Sequence, residues 1–397
     1  MKMKDSIDCA EQLLLKTYNR YQVVFDHGDG IKLFDTDGNE YLDFFAGIAV
    51  QGLGYNYKGI NEALKSQADK LWHISNYFYN EPVIEAGEKL LCISQMEKVF
   101  FTNSGTEAIE GAIKIAKKYG TKTGGRFEII AMEGSFHGRS LGALSVTGNE
   151  HYREDFYPLI PGVKFAKYND IESVKNLVSD KTCAIILETV QGEGGIHPAT
   201  KEFLEGIKEL TDEHDLILIL DEIQCGMGRT GKYFTWQNFG IRPDVMTVAK
   251  ALGNGVPIGA FLAAGKAVNI LEPGDHGSTY GGNPLVCAAA AKVLDIFEKD
   301  QIPENAKVVG EYLKEKLNTL SKHHGHIMEC RGCGLMLGLE FDVPVGEIIQ
   351  KVLLEEKMVL INAGSHVIRF IPPLVITKEN VDDAVARLDR VLTKLNF

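Results

Sequence analysis

A run of apolar residues, Leu216 to Leu220, ends in Asp221-Glu222-Ile223-Gln224, and a second run, Asp244 to Val248, is followed by Lys250. Two such strands place a carboxylate and an amine at neighbouring strand ends. A buried carboxylate keeps a proton on a heteroaromatic nitrogen, and an amine that can lose its proton bonds covalently to an aldehyde. Once displaced by an incoming amine, the lysine is also placed to move a proton between two carbons. Asp221 and Lys250 thus carry the two groups that hold a pyridoxal phosphate ring, the first tuning it as an electron sink and the second reacting with it.

A phosphorylated ring also needs an anion cradle. The strand Lys98 to Thr102 runs through Asn103-Ser104-Gly105-Thr106-Glu107 into a helical pattern that continues to Tyr119. Free N–H groups and the positive end of the helix dipole at such a junction suit a phosphate, with Ser104, Gly105 and Thr106 as its ligands. The same tripeptide also reads as an ordinary N-cap. Ser135-Phe136-His137-Gly138-Arg139 follows the strand Glu128 to Met132. An aromatic there can stack on a flat ring and an arginine can grip a carboxylate; a core Phe beside a surface Arg is the plainer alternative.

Two other motifs carry rival readings. Gly226-Met227-Gly228-Arg229-Thr230-Gly231 matches a dinucleotide fingerprint, but Lys232-Tyr233-Phe234-Thr235-Trp236 follows the last glycine instead of a helix, so an active-site loop fits better than a nicotinamide dehydrogenase. Cys330-Arg331-Gly332-Cys333 has zinc-like spacing without two further ligands at suitable distance, and reads as a turn entering the strand Leu335 to Phe341. No metal is expected. His276 to Pro284 is a glycine-rich polar loop before a helix, either a phosphate binder or a solvated turn.

These residues need a scaffold of 397 positions. Between about 95 and 265, short apolar strands (Lys98 to Thr102, Glu128 to Met132, Cys183 to Glu188, Leu216 to Leu220, Val245 to Val248) alternate with helical patterns. That predicts an α/β fold with a mostly parallel sheet covered by helices on both faces, and ligands at the carboxyl ends of its strands. The last hundred residues predict a smaller α+β domain, with which the early strands Ile31 to Phe34 and Tyr41 to Phe44 pack. The expected division is an N-terminal segment (1–60), a large cofactor-binding domain (61–288) and a small domain (289–397).

Net charge is −12, from 54 acidic and 42 basic residues, which argues against a nucleic-acid partner. No stretch has the length and apolarity of a membrane span, and no apolar run follows the N-terminal lysines as a secretory signal requires. Seven scattered cysteines fit a reducing cytoplasm.

The motifs resemble, in order, those of the class III, fold type I pyridoxal phosphate aminotransferases: Ser104 to Ala108, Phe136 to Arg139, Glu188 to Gly195, Asp221 to Gln224, the Lys250 segment, His276 to Pro284 and Arg369 to Leu374. The match runs from about residue 17 to the C-terminus. It implies that Lys250 forms the Schiff base, that Asp221 and Gln224 hold the ring nitrogen and hydroxyl, and that Phe136 stacks on the ring. It also implies that Thr279 reaches the phosphate of the other subunit of a homodimer with shared sites, with Ser278 near the substrate.

Within the class the chain is most similar to the branch that moves the ω-amino group of N-acetylornithine to 2-oxoglutarate, forming glutamate, in arginine biosynthesis. Ornithine, succinylornithine, succinyldiaminopimelate and 4-aminobutyrate are the alternative donors. His137, where ornithine enzymes place a tryptophan, and the Gly192 to Gly195 run carry that distinction. Such an enzyme reacts far from the carboxylate of its amino donor but close to the α-carboxylate of glutamate, so one site needs two anion anchors. Arg139 and Arg369 fit those roles. The resemblance makes Glu193 a gate on Arg369 and Glu188 a structural acid nearby. Asn254 departs from the glycine many relatives carry after the lysine.

Overall fold

The computed structural model describes residues 3–397. Seven strands form the central sheet: β1 (Lys98–Thr102), β2 (Glu128–Met132), β3 (Val163–Ala166), β4 (Thr182–Glu188), β5 (Ile217–Asp221), β6 (Val245–Val248) and β7 (Gly259–Ala263), in the spatial order β1-β7-β6-β5-β4-β2-β3. Pairs from β6 through β5, β4 and β2 to β3 are parallel. β7 runs antiparallel to both its neighbours, β1 and β6. Every residue of β4, β5, β6 and β7 is buried, because helices cover both faces.

Two of these strands were absent from the sequence expectation, β3 and β7. β7 reads Gly-Ala-Phe-Leu-Ala, with weak strand propensity and no alternation. Its small residues serve packing. The helix Gly105–Lys122 lies against it, and a Cβ on Gly111 of that helix would stand 2.2 Å from Phe261 Cε1. Burial along the helix follows Ala108, Ile109, Ala112, Ile113, Ala116 and Tyr119, the stripe expected of a helix laid on a sheet.

The second sheet is antiparallel throughout and orders Ile327–Cys333, Met336–Phe341, Val367–Phe370 and Ile361–Ala363. Cys330 and Cys333 lie within its first strand, so the expected turn at this motif is corrected: the reversal comes at Gly334, whose φ is +55°. Near the N-terminus, Phe25–Asp29, Lys32–Asp35 and Glu40–Asp43 form a meander whose last strand pairs in parallel with Met358–Val359. The helix Pro284–Lys299, which contains the expected boundary at 288, packs on the helices Lys58–Ala68 and Glu81–Ser94 and on Ile302–Leu320. Among the described residues no helix is long and apolar enough to cross a membrane.

Candidate active site

Parallel register places three polar residues in one row at the carboxyl ends of β4, β5 and β6, where Asp221 stands opposite Glu188 on one side and Thr247 on the other. Asp221 is buried, and its Oδ1 accepts from Thr247 Oγ1 at 3.1 Å and from Ile223 N at 3.0 Å. Its Oδ2 accepts from His137 Nδ1 at 2.7 Å. Burial pulls the His137 pKa down, but the hydrogen bond and charge of Asp221, with Glu188 behind it, more than offset this and the net shift is upward. The other imidazole nitrogen, Nε2, is buried without a partner among the described residues.

Glu188 accepts from the N–H groups of Phe136 and Gly192 at 3.1 and 3.2 Å. Burial, reinforced by the Asp221 charge and opposed by His137, pushes its pKa to about 7.

Lys250 follows β6 with φ at +48°, a left-handed conformation that costs a non-glycine residue about 1–2 kcal/mol. The surrounding chain holds it there, since the next turn, Lys250–Leu252, hydrogen-bonds back on itself. Burial lowers its pKa and the nearby Arg369 lowers it further, against the pull of Glu193. A lysine so placed gives up its proton more readily than a solvated one. Asn254, four residues on, is also left-handed at φ +45°, which explains why glycine suits this position; here the amide accepts from Leu53 N at 2.7 Å and donates to Gly54 O at 3.0 Å.

Ser104 caps the helix Gly105–Lys122, its Oγ accepting from Glu107 N at 3.3 Å. The cap reading is therefore met, while the Gly105 and Thr106 N–H groups belong to the first turn and have no intrahelical acceptor. Gly105 is sterically enforced: a Cβ there would come within 2.9 Å of Ile223. The Thr106 hydroxyl lies 2.8 Å from Ser140 Oγ, which donates to Glu110 at 2.5 Å.

Ser104, Gly105, Thr106, His137, Glu188, Asp221 and Lys250 line one cavity of about 410 Å³, with Phe136, Arg139, Gln224, Val256 and Ile258 also on its walls. That volume lies within the ~300–1,000 Å³ range of small-molecule sites. Arg139 enters from an exposed position with its guanidinium 3.9 Å from the Tyr152 ring centre and 5.4 Å from that of Phe136. Among the described residues it has no carboxylate partner, whereas Arg369 is buried and paired. Arg369 Nη1 donates to Glu193 Oε1 at 2.5 Å and to Gln224 Oε1 at 3.0 Å, and Nη2 to Glu193 Oε2 at 3.3 Å. Burial raises the Glu193 pKa, but Arg369, Lys250 and Gln224 outweigh it and hold the carboxyl below its usual value. The Gln224 amide, expected on the ring hydroxyl, is thus engaged with Arg369 and with Glu193, to which it donates at 3.3 Å.

Four expected residues do not line this cavity: Glu193 and Arg369, which join it through the wall residue Gln224, and Ser278 and Thr279. Thr279 is exposed, and Ser278 Oγ accepts from Gly281 N at 2.9 Å and from Asn103 Nδ2 at 3.3 Å behind the cavity wall. Two others were missed as contributors. In the sequence His137 marks only substrate choice, because its contact with Asp221 is long-range; Tyr152 sits in a 3-10 turn with no motif around it.

The sequence model of the family Aminotransferase class-III matches residues 15–392. The chain belongs to this family. Among relatives of this class-III enzyme, the acetylornithine aminotransferase of Caldanaerobacter subterraneus subsp. tengcongensis is 49% identical over 396 residues, spanning 98% of this chain and 100% of the relative. Among solved structures, an ornithine aminotransferase of Toxoplasma gondii, described with partial occupancy of PLP at its active site, superposes with a TM-score of 0.96 at 30% identity, covering 100% of this chain and 95% of that one. N-acetylornithine aminotransferase of Stenotrophomonas maltophilia gives 0.84 at 35% identity, covering 98% and 99%.

Class-III aminotransferases depend on pyridoxal 5'-phosphate, and this cavity fits that group. It joins an amine of lowered pKa, a buried carboxylate backed by a histidine, and a first helical turn whose glycine excludes any side chain.

Proposed function

We propose that the chain transfers the ω-amino group of N2-acetyl-L-ornithine to 2-oxoglutarate, giving N-acetyl-L-glutamate 5-semialdehyde and L-glutamate. The observation that carries this reading is a pair of arginines about the Lys250 cavity, Arg139 open on its wall and Arg369 bonded to the wall residue Gln224 and closed by Glu193. The two acetylornithine aminotransferases named above support the choice of donor.

Bound pyridoxal phosphate supplies an aldehyde that exchanges between lysine and substrate amine, and a ring that takes up the electron pair left when a substrate carbon loses its proton. Lys250 Nζ would hold the cofactor and, once released, would carry that proton between carbons. Asp221, fixed by His137 and Thr247, would keep the proton on the ring nitrogen. Gly105 and Thr106 would offer N–H groups to the phosphate beside the Ser104 cap, and Phe136 would stack on the ring. Gln224, on the cavity wall and bonded to Glu193 and Arg369, would link the ring to the gate.

Arg139 takes the distal carboxylate of either substrate. With N-acetylornithine present, Glu193 covers Arg369 and no carboxylate is drawn to the reacting end. With 2-oxoglutarate or glutamate present, Glu193 leaves and Arg369 takes the α-carboxylate.

We infer a homodimer with shared sites. Trp72, Tyr77, Phe78 and Tyr79 form an exposed aromatic segment, with Tyr77 and Tyr79 94% and 96% accessible. Asn76 within it donates to Ser278 O at 3.2 Å and to Gly281 O at 2.9 Å. A second subunit covering that segment therefore meets Thr279, which supports its role on the partner's phosphate and that of Ser278 near the partner's substrate. Free thiols at all seven cysteines support a reducing, cytoplasmic setting.

The deciding experiment follows the visible absorption of the cofactor-loaded protein as N-acetylornithine, ornithine, N-succinylornithine and 4-aminobutyrate are added separately. Fast bleaching by N-acetylornithine and a poor response to ornithine is the expected result. A preference for any other donor overturns the substrate while leaving the aminotransferase chemistry standing.

A further inference from the structure

Arg331, the residue between the cysteines of the C-x2-C motif, takes no part in the chemistry described above, yet it reaches the gate. It stands directly across from Gly338, and Gly338 directly across from Arg369, so the two arginines share one face of the second sheet with a glycine between them. The loop Gly192 to Ile196 lies over that row. Ile196 is fully buried, and a Cβ on Gly338 would stand 3.0 Å from its Cβ.

Arg369 grips the side chain of this loop through Glu193. Arg331 grips its backbone: Nε donates to Gly195 O at 2.9 Å and Ile196 O at 3.0 Å, and Nη2 to Gly195 O at 2.7 Å. Its remaining nitrogen, Nη1, donates to Glu329 at 3.0 Å and to Glu340.

The backbone around Glu193 is confined on its other sides as well. A Cβ on Gly192 would meet Gln224 Oε1 at 2.4 Å, one on Gly194 would meet Gly134 O at 2.6 Å, and Gly195 has φ at +118°. A planar fork holding two successive carbonyls leaves the loop little freedom to translate.

We propose that Arg331 is a positioning residue for substrate selection: it fixes the Gly195–Ile196 end of the loop, so that opening and closing over Arg369 is a swing of the Glu193 side chain alone. This rests on the gate reading of Glu193. One arginine of the row is a permanent clamp and the other a releasable one. Without the clamp the loop drifts, Glu193 covers Arg369 less completely, and the site shifts toward donors that carry a carboxylate on the reacting carbon.

The test uses the cofactor-loaded enzyme and measures two half-reactions separately, with N-acetylornithine and with glutamate. Arg331→Gln is expected to lower the N-acetylornithine-to-glutamate ratio of kcat/KM by about tenfold, the scale of losing hydrogen bonds to a charged group. Arg331→Lys, which keeps the charge but not the fork, should fall between Gln and wild type, and it carries the test where Arg331→Gln fails to fold. Glu340→Gln removes an ion pair and leaves the carbonyl grip, so its ratio should match wild type. Amide hydrogen exchange across residues 190–198 should accelerate in Arg331→Gln even in the cofactor-free protein.

Glu193→Gln separates the two ideas. If it lowers the same ratio and Arg331→Gln adds nothing on that background, both stand. A shift in Glu193→Gln with none in either Arg331 variant, or with equal losses in both half-reactions, overturns the clamp and spares the gate. No shift in Glu193→Gln overturns the gate and the clamp with it.

Discussion

Arg139 and Arg369 carry the same charge in opposite settings, one exposed against the Tyr152 ring and one buried against a carboxylate. Arg139→Ala is expected to raise KM for N-acetylornithine and for glutamate together, by about tenfold or more, the worth of a charge-assisted pair at a partly solvated position. A change for glutamate alone would contradict the two-anchor assignment. Lys250→Ala should cost at least about 10³-fold in turnover and abolish the covalent, visible-absorbing form, with far-ultraviolet circular dichroism unchanged; steady-state transamination retained by that variant would sink the lysine's role. Residue types announced these groups because few of them have other reasons to sit at strand ends. His137 was different. Its imidazole meets a carboxylate 84 positions away, and only the fold reveals that the two are neighbours.

At the level of elements, the strongly apolar, β-branched runs of β4, β5 and β6 were legible, as were the glycine-interrupted loops that follow them. β7 was not, because Gly259, Ala260 and Ala263 pattern as neither strand nor helix. Packing makes it a strand: small side chains let the cofactor-facing helix settle onto the sheet, and Gly259 passes so close to Ser104 that a Cβ would stand 2.5 Å from its carbonyl oxygen. Gly111→Ala tests that contact from the helix side. Although alanine favours helices, the new methyl meets Phe261, and overpacking should destabilise the enzyme by about 1–3 kcal/mol, seen as a lower thermal midpoint; an unchanged or higher midpoint would mean that the helix can lift away freely. The strand Ile327–Cys333 was hidden for another reason. Its Cys-Arg-Gly-Cys run has the composition of a turn and is held extended by the neighbouring strand.

Across the whole molecule, buried acids tie stability to pH. Glu222 is fully buried, accepts N–H groups from Thr235 and Trp236 at 2.9 Å each, and is pushed by burial from 4.5 to about 7. A raised folded-state pKa means that the native protein binds more protons than the unfolded chain within that interval. This contribution is full below about 4.5 and lost as pH climbs through about 7. The difference in thermal midpoint between wild type and Glu222→Gln should therefore decline from about pH 5 to about pH 8 and then level off; a difference that grows with pH would refute the assignment.

The proposed sharing of sites between two subunits makes a further prediction. Lys250→Ala and Thr279→Ala subunits, each impaired alone, should regain activity when unfolded and refolded together, since one site of the mixed dimer then holds both native residues. Failure to complement would show the sites to be independent.

The parallel pairing of Leu42 with Met358 also sets a timetable. Ribosomes extend a chain at about 5–20 residues per second, so the first meander waits tens of seconds for the strand that completes it. Through that interval the outer edge of Glu40–Asp43 lacks its partner strand and is open to pairing with other chains until Met358–Val359 emerges.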